Sequence, residues 1–168
     1  MKRASWVLCG GMAALAPAIA PAAEETTRQE AVRERGAEVM PFALEHTLHQ
    51  FEKDLRGGVQ RVSAKPGHED EVAAIRAHLR EIAERFARHD FSAPAQIHGE
   101  DMPGLAELRA ASADELRVTY RELPDGAEVR YVGTTQAVTD AIHHWFDAQV
   151  GDHGHDAIDH LKHHHHKP

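Results

Sequence analysis

The stretch Leu116-Arg-Val-Thr-Tyr-Arg-Glu-Leu-Pro-Asp-Gly-Ala-Glu-Val-Arg-Tyr-Val132 decides how this chain folds. Residues 116–121 alternate apolar and polar side chains, and residues 127–132 do so again. Alternation with period two places one face of a strand in a core and the other in water. Between the arms, Pro124, Asp125 and Gly126 supply turn chemistry. The stretch therefore predicts an antiparallel hairpin. Upstream, Gly57 and Gly58 stand between residues 43–53 and the β-branched run Val59-Gln-Arg-Val62, which predicts a second hairpin. Leu44, Leu48, Phe51 and Leu55 also fit a helical period. The choice matters for His46 and His49, which share a face on a helix and point to opposite faces on a strand.

Two helices follow the hairpins. In residues 69–88, Val72, Ile75, Leu79, Ile82 and Phe86 make one apolar stripe, and Glu69, Asp70 and Glu71 sit where the helix dipole favours anions. Thr135 is placed to cap a helix over 136–150 with the stripe Val138, Ala141, Ile142, Trp145 and Gln149, ended by Gly151. Residues 92–104 read as a loop, and Pro103 as the opening of a short helix through Ala111. Val72 and His78 share the spacing of Val138 and His144, as in a diverged repeat. The fold class expected is α+β, an antiparallel sheet built from two β-hairpins with two main helices packed on one face.

The ends of the chain read differently. Lys2 and Arg3, the uncharged stretch from Trp6 to Ala20 and the small residues at 18–23 form a signal peptide, with cleavage expected after Ala20 or Ala23 and export to the periplasm or beyond. The stretch is too short and too broken by Gly10, Gly11 and Pro17 to favour a membrane span. Residues 24–39 read as a flexible lead-in, residues 40–151 as one α+β domain, and residues 152–168 as a disordered tail rich in His and Asp. The single cysteine, Cys9, leaves with the leader, so the mature chain has no disulfide and no thiolate. Losing Lys2 and Arg3 takes the net charge from −8 to −10. That balance excludes nucleic acid and anionic membrane as natural partners.

Fifteen histidines remain the chemical signature, nine of them in the last 26 residues. Imidazole is the commonest protein ligand for copper, zinc and nickel near neutral pH, and a His-rich tract binds metal without a packed core. His153, His155, His160, His163, His164, His165 and His166 make up that acidic tail region. In the domain, His98 lies four residues before Met102, a soft thioether that suits copper. His78 flanks the first helix's stripe. His143 and His144 point in different directions, and His143 with Asp147 forms a possible imidazole–carboxylate pair.

Several segments, Gly57-Gly-Val-Gln-Arg-Val62, Arg76-Ala-His-Leu79, Ile97-His-Gly-Glu-Asp-Met-Pro-Gly-Leu105 and Ala141-Ile-His-His-Trp-Phe-Asp-Ala-Gln149 with Asp152-His153, resemble a family of small exported proteobacterial proteins. The resemblance covers residues 38–155. Members often carry the name aspartate carbamoyltransferase, which the residues do not fit: no Ser-Thr-Arg-Thr-Arg loop for carbamoyl phosphate is present. The resemblance implies one fold and places His49, His78, His98, His143 and His153 in family-like segments.

Three functional readings follow. The first is a periplasmic protein binding a divalent transition metal, copper first, then zinc or nickel, through His49, His78, His98, Met102 and His143 in the domain and the tail histidines. The second is an envelope interaction or stress module with solvated histidines and a protein partner. The third is a small enzyme of unknown reaction, which predicts a cleft with perturbed acids around Glu100, Asp101 and His98. The last is the weakest, because no nucleophile elbow, phosphate loop or dinucleotide fingerprint is present and no catalytic residue can be named.

Overall fold

Both hairpins form. β1 (Thr47–Asp54) pairs antiparallel with β2 (Gly57–Ala64), and β3 (Leu116–Leu123) with β4 (Gly126–Gly133). β2 also pairs antiparallel with β4, and a short strand, β5 (Ala157–Asp159), runs parallel to β1. The sheet order is β3-β4-β2-β1-β5. This computed structural model describes residues 21–154 and 157–159. Along each strand the alternation settles the faces. Thr47, His49 and Phe51 of β1 lie beside Val62 of β2 and Ala127, Val129 and Tyr131 of β4 on the buried face. The other face is a charged grid, where Glu128 accepts from Arg61 Nε (3.1 Å) and Arg121 Nε (2.9 Å).

Two helices cover the buried face. α1 (Pro21–Val39) precedes the sheet; α2 (Val72–Phe86) follows a 3-10 turn at Glu69–Glu71 and buries Ile75, Leu79, Ala83 and Phe86. The last helix, α5 (Gln136–His153), begins as expected, with the Thr135 hydroxyl accepting from the Val138 N–H at 3.3 Å. Trp145 is 1% exposed and meets the rings of Phe86, Tyr131 and Phe146 at 5.7, 5.2 and 5.8 Å. α2 lies mostly over β4 and β3, whereas α5 lies over β2, β4, β5 and β1. Each helix also holds a turn of one hairpin. Arg76 of α2 donates to the carbonyls of Leu123 (2.5 Å) and Gly126 (3.2 Å), and His143 Nε2 of α5 stands 3.0 Å from Asp54 O and 2.9 Å from Gly57 O. Among the described residues no helix is long and apolar enough to cross a membrane.

Five sequence expectations need correction. Residues 24–39 are not a flexible lead-in but most of α1. Its apolar pattern is too weak to announce a helix; among its described side chains Val32 is the one large apolar residue that is buried, and polar contacts to α5 and residues 92–98 hold it. Residues 92–104 are not all loop: α3 (Ser92–His98) forms there, because Pro94 falls in a first turn that needs no N–H donor. α5 does not stop at Gly151. A glycine weakens a helix by only about 1 kcal/mol, and the chain runs on until Gly154, whose φ of 57° ends it. Residues 152–168 are therefore not uniformly a tail: Asp152 and His153 close α5 and residues 157–159 form β5, while His155, His160 and 161–168 lie outside the described residues.

The short helix α4 (Leu105–Ala110) starts after Gly104 rather than at Pro103. Gly104 has φ of 78°, and a Cβ there would stand 2.1 Å from the Ala141 carbonyl oxygen, so only glycine lets this backbone meet α5. Gly104→Ala should cost at least about 2 kcal/mol of stability in urea unfolding; an unchanged midpoint would mean that the close approach is not rigid.

Candidate functional site

The histidines of the described residues divide into two kinds. His143 is committed to the β1–β2 turn, and its supposed partner Asp147 pairs instead with Lys53 on β1. His144 is exposed. His46 stacks on His68 at 3.8 Å between centroids, with its Nδ1 3.0 Å from Glu71. The remaining four expected in the domain and at its end, His49, His78, His98 and His153, line one cavity between the sheet, α2, α3 and α5.

Strand alternation aims His49 inward, since β1 is a strand and not a helix; its ring is 3% exposed. His78 reaches the cavity from the flank of α2. His98 ends α3, just before Gly99 turns the chain with φ of 98°. His153 sits one turn beyond Gln149 and two beyond Trp145 on α5, so a single stripe of that helix runs from the aromatic core into the cavity. The His153 ring stacks on His49 with centroids 5.0 Å apart and meets His98 edge-on at 5.3 Å. The cavity measures about 50 Å³, room for about three or four water-sized spheres.

A part-buried ion cluster fixes one edge, with Asp152 and His98 buried and Arg28 half exposed. His98 Nδ1 donates to Asp152 Oδ2 at 2.8 Å, Arg28 Nε donates to Asp152 Oδ1 at 2.5 Å, and Arg28 Nη2 reaches both Asp152 Oδ2 (3.0 Å) and the His98 carbonyl (3.2 Å). Asp152 is 6% exposed. Burial alone would raise its carboxyl pKa, but the hydrogen bonds from His98 and Arg28 outweigh it and hold the pKa below the usual value. With Nδ1 as donor, the lone pair of the neutral His98 ring lies on Nε2, the nitrogen away from Asp152. Burial pushes His153 well below the ordinary histidine pKa, with His49 and His98 adding to the shift, and burial lowers His78 as well. Both rings are therefore neutral near pH 7.

Met102 does not join the site. It is 3% exposed and packs in the core with Leu105 and Leu108, so the expected His98–Met102 pairing fails; Met40, just after α1, is the thioether on the cavity wall. Glu100 pairs with Arg109 at the surface, and Asp101 is exposed, so neither acid faces the cavity. Sequence reading missed Asp152 and Arg28. Asp152 had been assigned to a tail and Arg28 to a lead-in, and only tertiary packing brings them together. Among the described residues no three His, Cys, Asp or Glu side chains already converge as a metal ion would require. No protein-family model, curated protein or solved structure matches the chain.

A carboxyl whose pKa is lowered by folding stabilises the fold above its unfolded value, and loses that contribution as pH falls through the folded value. Asp152→Asn should thus destabilise the protein by about 2 kcal/mol at pH 7, with the native and variant stabilities converging below about pH 3.8. Parallel curves across that range, read by chemical denaturation, would remove Asp152 from the ionic account.

Proposed function

We propose that this is an exported protein that binds one divalent transition metal, copper, zinc or nickel, between His49, His98 and His153. The observation that carries the reading is the His98–Asp152–Arg28 chain. A carboxylate that holds one imidazole nitrogen and leaves the other as a lone pair is the usual outer arrangement of a histidine metal ligand. The ring spacings agree. Metal–nitrogen bonds of about 2.0–2.1 Å put the centroids of two imidazoles sharing a tetrahedral ion about 5 Å apart, close to the 5.0 and 5.3 Å here. Capture asks the His49 and His153 rings to turn out of their stack, so that one nitrogen of each faces a common centre with His98 Nε2.

The cavity's size and lining favour an ion over an organic substrate. About 50 Å³ is far below the 300–1,000 Å³ typical of small-molecule pockets. No serine, threonine, cysteine or lysine nucleophile is among the described residues that line it. The leader-like N-terminus supports export, and the histidines of 155–166 serve as a weaker collector.

The test is calorimetric titration at pH 7.5 with copper, zinc and nickel. It uses the full chain carrying His155→Ser, His160→Ser, His163→Ser, His164→Ser, His165→Ser and His166→Ser. One-to-one binding should persist, fall at least about tenfold in His98→Ala, and fall about 10–100-fold in Asp152→Asn. Absence of heat with all three metals sinks the reading and leaves the interaction module, with metal binding confined to the tail.

A further inference from the structure

We infer that the free edge of the sheet, strand β3, is a docking site for an extended acidic segment of another polypeptide, added as one more strand. β3 is outermost in the order β3-β4-β2-β1-β5, and no strand among the described residues lies beyond it. All of Leu116–Leu123 pairs with β4 on one side. The Leu116 N–H turns away from β4 and donates to the Ser112 carbonyl at 3.2 Å. Alternation along an antiparallel ladder then points the N–H and C=O groups of Val118, Tyr120 and Glu122 outward as well. Such a row is a template for a further strand.

The side chains define which strand fits. Arg117, Thr119 and Arg121 lie exposed on the outer face, while Val118 and Tyr120 are half-buried on the helix side. Arg121 shares Glu128 with Arg61, and Arg130 pairs with Asp54, but Arg117 has no ion-pair partner among the described residues. It shares a surface hollow of about 330 Å³ with Arg56, Asp114, Val132 and Thr134, where two guanidinium groups meet one carboxylate. This local surplus of positive charge stands on a chain whose net charge is −8. Arg117 and Arg121 are about 13 Å apart along the strand. A partner with Asp or Glu at every second position sets a carboxylate beside each of them, and its intervening apolar side chains cover Val118 and Tyr120.

Exposed charge on an edge strand also repels unsuited neighbours. A second copy of this chain is one of them. The two registers that overlap β3 with itself most fully set Arg117 against Arg121, or Val118 against Glu122.

The probe is a short fluorescein-labelled, amidated peptide of alternating Glu and Val, titrated into the full chain at low salt. Saturable one-to-one binding is expected by anisotropy, with amide exchange slowed at Val118 and Tyr120. Arg117→Glu should weaken it at least about tenfold, and a Lys-Val peptide should not bind. Methylating alternate peptide nitrogens should abolish binding, because the ladder bonds are lost. No binding at millimolar peptide overturns the inference. Binding that survives methylation and leaves the Val118 amide unprotected overturns it too, since charge alone then holds the peptide. Displacement by an oligonucleotide of equal charge and concentration would mark a phosphate surface instead. A Val118 amide protected without peptide, in a chain that sediments as a dimer, would give the edge to a second copy.

Discussion

A carboxylate taken out of water has to be matched by donors on every side, and in this protein that requirement falls on Asp152. Its partners come from distant parts of the chain: Arg28 from α1 and His98 from the end of α3, while Asp152 itself ends α5. The same cluster explains three features that local propensity does not. α1 has almost no apolar stripe, yet it docks, because Arg28 and Arg35 find an acid and carbonyls on α3 and α5. α5 continues through Gly151 because Asp152 has somewhere to be. His98 has one tautomer because one of its nitrogens is spoken for.

The cavity is an extension of the core rather than a cleft cut into the surface. Trp145, Gln149 and His153 rise along one side of α5, so the environment grades from aromatic to polar over two helical turns. Behind the polar end stand Phe86, Phe91, Tyr131 and Phe146, packed ring on ring around Trp145. Such a backing is stiff. Burial beside it raises the cost of charging His153, which stays neutral where a solvated histidine would titrate.

What the sequence made legible was what is local. Both hairpins, the α2 stripe and the Thr135 cap rest on alternation, turn chemistry and a hydroxyl, all encoded within a few residues. The sheet face of His49 followed once β1 was read as a strand. α1 and β5 were not legible, because neither has a pattern of its own; one is held by the Arg28–Asp152 ion pair and hydrogen bonds to carbonyls, the other by three residues of parallel pairing to β1. At the site, His49, His78, His98 and His153 were singled out and do line one cavity, but His143 and Met102 were singled out with them and went elsewhere. Histidine excess says nothing about which imidazoles a fold spends on its own carbonyls, as at the β1–β2 turn. Asp152 does not read as a site residue, because an acidic residue beside a glycine looks like solvent-facing chain until Arg28, 124 positions away, is brought to it.

The exchange of helices between the hairpins bears on when the chain can fold. α2 finds most of its packing on β3 and β4, which are made 30 residues or more after it, and α5 returns to the strands of the first half. Neither half can complete its own core, so an emerging polypeptide has no stable resting point until residues near 150 are available. Contacts so distant in sequence slow folding.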